Sequence, residues 1–438
     1  MRVRLIDFTF LLIFCSASVT SSAQENNVLT RFGIGELRSG ASAGLRGWGS
    51  LSSAFSDPNK INSENPASLS FLNVTSFEFG AFGNYLNLNT ATAYGNFGYA
   101  APEYLQIAVP LKKNVAGLAL GLQSFSRCNY DIRQLNDTIA ENVPSFNTYT
   151  GSGGAYKVFL ASGFKAGCFS LGLKANYVFG TVKNTNMLFF SDSINGYYAR
   201  KQESRYFGDV LLEGGIQYRT ALGKKYHFSF GINGNLNTNL ATHHDLIFER
   251  VLYSVNGTLT ANDTVYSEVG TEGNIVIPMQ LNSGFIITKD NHWSLGAQFN
   301  YGAWKNYSSF GSTDSTINRW KISVGSEIIP DKFSYESYFS RVAYRFGANY
   351  GVNYIMLRGN PITEAGVTVG LGFPIRGKTK DAELVADMGL RHLSNELNLS
   401  FEVGKSGSIA QNGLSQFYVR GTFSFAFNDF WFVKRRYE

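Results

Sequence analysis

Apolar and polar residues alternate along many stretches of this chain, and this period of two most constrains what it can fold into. In residues 292–301, HWSLGAQFNY, the side chains of Trp293, Leu295 and Phe299 fall on one face of a strand, and Gln298 falls on the other. Similar alternation recurs in FSLGLKANYVFG, AYRFGANYGVNY and QFYVRGTFSFAF. In length, these stretches are closer to a tilted membrane strand, which has about 9 to 11 residues, than to a strand of a soluble sandwich, which has about 5 or 6.

The alternating segments predict about fourteen strands, an even number, as in a single-chain outer-membrane barrel. The predicted strands are 75–83, 104–111, 115–126, 155–165, 168–181, 206–220, 225–239, 274–288, 291–304, 318–329, 340–354, 364–375, 395–404 and 415–429. Only 16% of the residues are charged, compared with roughly 25% in soluble domains. The expected fold class is all-β: a transmembrane antiparallel β-barrel of about 14 strands.

The connections between the predicted strands alternate in length. Those after the second, fourth, sixth and eighth strands are short: KKN, residues 165–167, ALGKK and KD. Others are long and polar, such as 127–154, 182–205 and 240–273. Outer-membrane barrels have short periplasmic turns and longer external loops. The pattern therefore indicates an N-terminus on the periplasmic side and a first strand that runs outward.

This topology separates two of the cysteines. Cys128 follows the third predicted strand at its external end, and Cys168 opens the fifth at its periplasmic end. An apolar band about 25 Å tall separates the two ends, whereas a disulfide needs Cα atoms within about 7 Å of each other. We therefore expect two free thiols.

The N-terminus has the pattern of a cleaved export signal. Arg2 and Arg4 precede an apolar core at residues 8–19, and small residues follow at 21–23. A core of about 12 residues is too short to span a bilayer but fits a signal peptide. We expect the mature chain to begin at Gln24 and to reside in the outer membrane of a Gram-negative bacterium.

The residues that follow the signal do not alternate, and we expect them to form a plug. A barrel of about fourteen strands is wide enough to need filling unless it is an open pore. The segment combines many small residues with scattered apolar ones, such as Leu45, Trp48 and Leu51, which suits a compact body inside a polar lumen. The expected organisation is a signal peptide at 1–23, an N-terminal hatch or plug at 24–73 and a transmembrane β-barrel at 74–438.

Residues that could carry chemistry are few and scattered. The five His lack metal-ligand spacing with Cys or carboxylates, and phosphate-binding, dinucleotide-binding and nucleophile motifs are missing from the sequence. His243 and His244 precede Asp245 in a predicted external loop, where solvation is a simpler interpretation than cation binding. The charge of +6 is spread along the chain, so no nucleic-acid surface is indicated. We expect no enzymatic activity, no metal and no cofactor.

Charged residues on the polar strand faces are candidates for the lumen. The candidates are Lys174, Glu213, Arg345, Glu402 and Arg420. Such groups either pair across the lumen and hold a plug, or form a selectivity ring, as in a diffusion porin.

Pro278 is a candidate for a break in the barrel wall. It falls within IVIPMQLNSGF, in the eighth predicted strand. Proline removes one hydrogen bond from a strand ladder. It therefore marks either a bulge near one rim or an opening through which an apolar molecule could leave sideways.

Two motifs before the first predicted strand resemble the N-terminal hatch of the FadL/TodX outer-membrane transport family. They are Gly44-Leu45-Arg46-Gly47 and Asn65-Pro66-Ala67, with Ser68 where the family usually has Gly. The resemblance covers nearly the whole mature chain and is greatest with the Bacteroidetes-type branch. The segments that carry it are YLQIAVPL (104–111), GLALGLQSFS (117–126), YTGSGGAYKVFLASGF (149–164), GVTVGLGFPI (366–375) and FNDFWFVKRRYE (427–438).

The resemblance implies a function as well as a fold. It implies a fourteen-strand barrel closed by a hatch, which takes up long-chain fatty acids or aromatic hydrocarbons by hatch rearrangement. Substrates would leave through a lateral opening at a kinked third strand. Here the third strand contains residues 123–126, so Ser124 is the second candidate for a wall break. The residues that the resemblance assigns to the hatch are Gly44, Arg46, Gly47, Asn65, Pro66 and Ala67.

Two other functions stay open, because a fold does not determine function. The chain could be a scaffold or secretion-associated barrel, or a diffusion porin. A transporter predicts an apolar lumen pocket and a wall gap, a porin predicts a continuous water channel, and a scaffold predicts a blocked lumen with a docking surface on the loops. The expected partners are hydrophobic small molecules, outer-membrane lipids and the barrel-assembly machinery, but no nucleic acid, for a protein that is expected to be a monomer.

Overall fold

A computed structural model describes residues 25–136, 145–190, 197–253, 259–334, 336–376 and 394–431. The predicted signal peptide at 1–23 and the last residues of the C-terminal segment lie outside these ranges. Within them, none of the helices has the length and apolar character needed to cross a membrane.

Nearly all of the regular structure is β-strand. The strands are β1 (Glu36–Leu37), β2 (Thr75–Thr90), β3 (Tyr94–Lys112), β4 (Ala116–Arg127), β5 (Tyr130–Asn136), β6 (Ser145–Ala166), β7 (Phe169–Phe190), β8 (Tyr198–Ala221), β9 (Tyr226–Asn235), β10 (Thr238–Tyr253), β11 (Leu259–Ile277), β12 (Gln280–Lys289), β13 (Trp293–Gly302), β14 (Ser308–Ser309), β15 (Arg319–Ile328), β16 (Ala343–Leu357), β17 (Asn360–Arg376), β18 (Ser394–Ser406) and β19 (Leu414–Asp429). The helices are short: α1 (Ala43–Arg46), α2 (Ile409–Asn412) and the 3₁₀ turns Val28–Arg31, Pro66–Phe71, Trp304–Asn306 and Phe339–Arg341.

Fourteen of these strands form a closed antiparallel barrel, as the sequence predicts. Around the ring the order is β2, β3, β4, β6, β7, β8, β9, β12, β13, β15, β16, β17, β18 and β19. The ring closes where β19 pairs with β2 over the full length of both strands, from Leu414 opposite Thr90 to Asp429 opposite Thr75. Closure leaves no free sheet edge at membrane depth, as a bilayer requires.

The two faces of the ring have opposite polarity. Outward side chains such as Leu171, Leu295 and Phe401 are more than half exposed, whereas inward ones such as Gln298 and Asn398 are buried. A soluble protein would bury the apolar face instead. The outward apolar face therefore suits lipid, and the polar face lines an interior in which side chains can satisfy one another.

One side of the barrel rises well above the rest. We call this part the flange: β5, β10, and residues 145–154 of β6, 181–190 of β7, 198–207 of β8 and 259–274 of β11. Its strands pair in the order β5, β6, β7, β8, β10 and β11. β8 has 24 residues, more than the about 9 to 11 that span a membrane, and its flange part, residues 198–207, reaches up to roughly 30 Å further. We call this the hairpin end, and the opposite end the turn end.

The flange corrects the prediction of long polar loops at 127–154, 182–205 and 240–273. These residues largely continue the strands as paired hairpins. His243 and His244 accordingly lie in β10 and not in a loop. The alternation of loop lengths also stops in the second half, since β16 and β17 are joined at the hairpin end by a tight turn at Arg358 and Gly359, which both have positive φ.

Cys128 and Cys168 are free thiols, as predicted. Cys128 is buried between β4 and β5, whereas Cys168 is exposed in the turn before β7. Desolvation raises the pKa of the Cys128 thiol to about 11.

Candidate functional site

Residues 25–74, the N-terminal segment, contact the inner faces of strands around the ring. Short capped turns give the segment its shape. Asn27 accepts a hydrogen bond from the backbone N–H of Leu29 at the start of the first 3₁₀ turn. Asn65 does the same for Ala67, with Pro66 at the first position of the turn, where its missing N–H costs nothing. Most of the segment is buried.

The structure places the two hatch motifs in different parts of this segment. Gly44, Arg46 and Gly47 belong to α1 and its end, and the Asn65–Ala67 motif opens the 3₁₀ turn Pro66–Phe71. Asn65 is fully buried and donates from Nδ2 to the Ser53 carbonyl at 2.6 Å. The Asn-Pro pair therefore ties one part of the segment to another.

A row of glycines in the wall receives the turn Pro66–Phe71. The glycines are paired in register across four neighbouring strands: Gly117 in β4, Gly163 in β6, Gly172 in β7 and Gly215 in β8. A Cβ atom at any of the four would overlap atoms of Asn65–Leu69. The nearest of these atoms belong to the backbone for Gly117, Gly163 and Gly172 and to the Asn65 side chain for Gly215. The wall and the segment thus meet backbone against backbone, at separations that only glycine permits.

Further wall glycines contact the segment on the other side of the ring. Gly296, Gly325 and Gly347 are paired in register across β13, β15 and β16. A Cβ on Gly325 or Gly347 would overlap the backbone at Trp48 and Gly49. Gly47 of the hatch motif packs on Gly370 of β17 in the same way, with a Cβ on either one within 2.8 Å of the other's Cα.

Buried ion pairs connect the segment to the wall. The Arg38 and Arg46 guanidinium groups lie 2.9 and 2.8 Å from the Glu103 carboxylate of β3. On other strands, the Arg420 guanidinium lies 2.7 Å from Glu36, and Lys60 Nζ lies 2.9 Å from Glu396. These contacts span β3, β18 and β19, so charge as well as shape fixes the position of the segment.

The predicted lumen charges mainly pair with one another. Glu213 receives Lys157 and Lys174, each at 3.1 Å. Arg345 contacts Glu327 at 2.7 Å and Glu396 at 2.8 Å, and donates to Asn398 Oδ1 at 2.6 Å. Arg420 lies 3.6 Å from Glu402. Of the five predicted residues, Arg420 has an ion pair with the segment. The prediction missed other residues that form ion pairs between the segment and the wall: Glu36, Arg38, Glu103 and Glu396.

Two cavities lie on either side of the segment. One, of about 270 Å³, lies toward the hairpin end, and charged and amide side chains such as Asn282, Lys321 and Glu402 line much of it. The other, of about 540 Å³, lies toward the turn end, and Asp290, Lys332 and Arg341 are among its lining residues. Residues 45–54 lie between the two and carry the apolar cluster of Leu45, Trp48 and Leu51.

Apolar side chains from the segment occupy the interior near the hairpin end. Leu29 and Ile34 pack into a buried cluster with Trp304 and Tyr354, whose rings stack at 4.4 Å. The Tyr354 hydroxyl donates to the Gly35 carbonyl at 2.5 Å. The chain itself thus fills this apolar region.

Ser124, a candidate wall break, lies at an irregularity. The β4–β6 register shifts between Ser124 and Ser126, and the pairing of β3 with β4 extends only to Tyr104 opposite Gln123. Beyond that point the upper part of β3 and β5 are not paired with each other in the described structure.

Residues 25–38 cover this opening. Strand β1 pairs with Ser126 and Arg127 of β4, and Asn27 N donates to the Asn129 carbonyl at 2.9 Å. Arg127 contacts Glu25 at 2.7 Å. The wall is therefore discontinuous beside Ser124, and the N-terminal segment fills the interruption.

Pro278, the other candidate, interrupts the eighth strand between β11 and β12. Side chains bridge the interruption: Asn235 Nδ2 donates to the Pro278 carbonyl at 3.1 Å, and Asn237 Oδ1 accepts from Met279 N at 2.7 Å. The Met279 carbonyl accepts from Ala303 N at 2.9 Å. The backbone groups around Pro278 thus have partners across the break.

In the part of the chain that the structure describes, no group of three or more His, Cys, Asp or Glu is arranged to hold a metal ion. The His244 ring packs against the Phe310 ring at a tilt, with their centroids 4.9 Å apart.

Comparisons with solved structures show the same fold. A FadL homologue from Pseudomonas aeruginosa has a TM-score of 0.55 at 12% identity, over 90% of this chain and 98% of that one. The Pseudomonas putida toluene transporter TodX has a TM-score of 0.54 at 14% identity, over 89% and 98%. The CymD monoaromatic hydrocarbon channel has 0.54 at 11%, over the same shares. The fold that the resemblance to the FadL/TodX family implies is thus confirmed.

A comparison with family models also gives a match. The family model described as BamG matches residues 5–438. A comparison with curated proteins found no significant match.

Proposed function

The chain belongs to the BamG family, and we propose that it is a sealed outer-membrane barrel that acts as a scaffold for other envelope proteins. The observation that carries this proposal is the packing of residues 25–74 against the barrel wall. We interpret this segment as a permanent plug. Rows of wall glycines on opposite sides of the ring accept its backbone, and ion pairs connect it to β3, β18 and β19. A plug held on several sides has no obvious direction in which to move.

The energetics favour a fixed plug. Withdrawal of the segment would leave Glu103 without Arg38 and Arg46, all of which are almost fully buried. Removing one partner of a buried ion pair costs about 3–5 kcal/mol. Breaking several such pairs together would be expensive compared with a total stability of about 5–15 kcal/mol.

The lining of the cavity toward the hairpin end also favours a scaffold. An apolar molecule would have to displace water from amide and charged groups such as Asn282, Lys321 and Glu402 without replacing their hydrogen bonds, which is unfavourable. A diffusion porin is disfavoured too, because residues 45–54 separate the two cavities.

A second candidate function is uptake of hydrophobic molecules, long-chain fatty acids or aromatic hydrocarbons, with lateral release. The wall interruption beside Ser124 favours it. For release at this place, residues 25–38 would have to leave the interruption, and the contacts of Glu25, Asn27 and β1 would break. The two functions therefore make opposite predictions about motion of these residues.

We infer the orientation from the strand connections. Short turns after β3, β6, β8 and β12 would face the periplasm, together with the chain entry into the barrel, and the flange would face outward. A scaffold in this orientation offers partners a tall surface outside the cell.

A disulfide lock distinguishes the two functions. Cys128 Sγ lies 3.3 Å from the Thr30 carbonyl, and the Thr30 hydroxyl bonds to the backbone of the next residue, Asn129, donating to its carbonyl at 3.2 Å and accepting from its N–H at 3.0 Å. Thr30→Cys therefore introduces a second thiol next to the Cys128 backbone. Mild oxidation should join the segment to the wall at the interruption, which mass measurement verifies. The control is Thr30→Cys with Cys128→Ser, which cannot form this bond.

The readouts are made in a deletion strain that carries each variant. For a scaffold, the locked protein restores growth and the outer-membrane protein profile as well as the control does. Uptake of labelled oleate or toluene that the lock abolishes and a reductant restores would instead establish the transport function.

A further inference from the structure

One edge of the flange is open over most of its length. In the described chain, residues 259–273 of β11 pair through the backbone with β10 alone. On the far side, the first contacts are Phe310 N to the Asn274 carbonyl, at 3.0 Å, and the short pairing with β14 at Ile275 and Val276. In an antiparallel strand every second residue directs its N–H and C=O away from its partner. A row of backbone donors and acceptors is therefore presented outward.

The opposite edge of the flange is different. Strand β5 has seven residues, and the N-terminal segment covers its base. Asn26 donates from Nδ2 to the Asp131 carbonyl at 2.8 Å and accepts from Asp131 N at 3.0 Å. The described residues provide no comparable cover for β11, which is also the longer of the two edge strands.

A groove of about 520 Å³ adjoins the lower part of the open edge. It lies between β11 and the turn at 308–311, and His244 and Phe310 line it together with Glu268 and Glu272. The Glu268 carboxylate is held in place by the Tyr266 hydroxyl at 2.8 Å and the Thr271 hydroxyl at 2.7 Å. The edge thus has an acidic pocket beside it.

The charge of the edge disfavours a second copy of this chain as its occupant. Residues 259–274 contain Asp263, Glu268 and Glu272 but no Lys, Arg or His. Pairing two such edges would bring like charges together, which destabilises a sheet.

We propose that β11 is a docking strand for a partner protein. An extended segment of the partner adds to residues 259–274 as a further strand, and a Lys or Arg side chain of that segment enters the groove between Glu268 and Glu272. Main-chain hydrogen bonds provide the affinity and the acidic groove selects the partner. This proposal rests on the scaffold function, for which it names the surface and the chemistry of the partner.

The test uses two defined peptides and the purified full-length protein. One fluorescent eight-residue peptide alternates Lys with Val, and the other alternates Glu with Val. The Lys peptide should bind in anisotropy measurements, and hydrogen exchange should show new protection of amides within 259–274. The Glu peptide should bind at least tenfold more weakly.

A matched pair of variants locates the binding. Glu268→Lys with Glu272→Lys should weaken the Lys peptide at least tenfold. Asp131→Lys with Glu336→Lys changes the net charge equally, at the opposite edge and at the turn end, and should leave binding unchanged. Because neither pair lies in the ring, both should fold, as heat-dependent gel migration verifies.

Three results would overturn the docking strand: no binding of the Lys peptide, equal binding by both peptides, or protection outside 259–274. None of them bears on the Thr30→Cys lock, so the scaffold function can survive failure of the docking strand. Conversely, peptide binding to β11 in a barrel that the lock inactivates would remove the scaffold function and leave the docking strand.

Discussion

At the scale of single residues, the wall glycines are placed for contact with the N-terminal segment and not for the wall itself. Gly172 has ordinary backbone angles, but an added Cβ would meet Ala67 N and the Pro66 backbone. Gly172→Ala should therefore lower the free energy of unfolding by about 1–3 kcal/mol, as overpacking does. Urea titration of gel migration checks this. Gly214→Ala, where the added Cβ would lie 3.9 Å from the Gly172 carbonyl oxygen, is the control and should change little.

Glu103 should be the most sensitive of the missed residues. It receives both Arg38 and Arg46 in a buried place, so Glu103→Gln should cost about 3–5 kcal/mol. Glu203→Gln removes a partly exposed partner of Arg205 in the flange and should cost less, because water screens this pair more than it screens Glu103. Equal costs in the same urea titration would contradict the importance of the buried pairs.

These residues were hard to predict for a physical reason. Alternation shows that a side chain such as Arg420 faces inward, but not which partner it meets there. Glu103 and Glu36 meet their partners only after the N-terminal segment has folded into the ring. The one available signal was the need for carboxylates near so many inward cations.

At the scale of elements, the ring strands were predictable and their ends were not. Within the membrane, one face of each strand meets lipid and the other meets the lumen, so apolar and polar residues alternate. Above it the outward face of the flange no longer meets lipid, so apolar residues are not required there and the alternation fades, although backbone pairing continues. For this reason β6 was predicted at 155–165 and extends over Ser145–Ala166.

The flange should be dispensable for folding of the ring. The ring closes through the pairs of β8 with β9 and β9 with β12, without β10. Replacing residues 243–272 by an Asn-Gly turn should therefore leave a heat-modifiable barrel in the membrane. Removal of 285–296, which belong to ring strands β12 and β13, should abolish it. Loss of folding in the first variant would show that the flange supports closure.

At the scale of the whole molecule, the orientation can be measured with thiols. Cys128 is buried and should react slowly, because desolvation raises its pKa to about 11. Thr264→Cys, in the flange, should react with a membrane-impermeant maleimide on intact cells. Cys168 should react only after the outer membrane is permeabilised. Labelling of Cys168 on intact cells would reverse the proposed orientation.

The central property of the whole molecule is whether it conducts. The inner face of the ring is polar, and residues 45–54 separate the cavities at its two ends, so the full-length protein should show no steady current in a planar bilayer. Deletion of residues 25–74 should give an open aqueous pore, because a ring of fourteen strands is too wide for its own side chains to fill. The variant without residues 243–272 retains the plug and should stay closed. Steady conductance in the full-length protein would contradict the sealed barrel, and a closed barrel after the deletion would show that the wall itself closes the lumen.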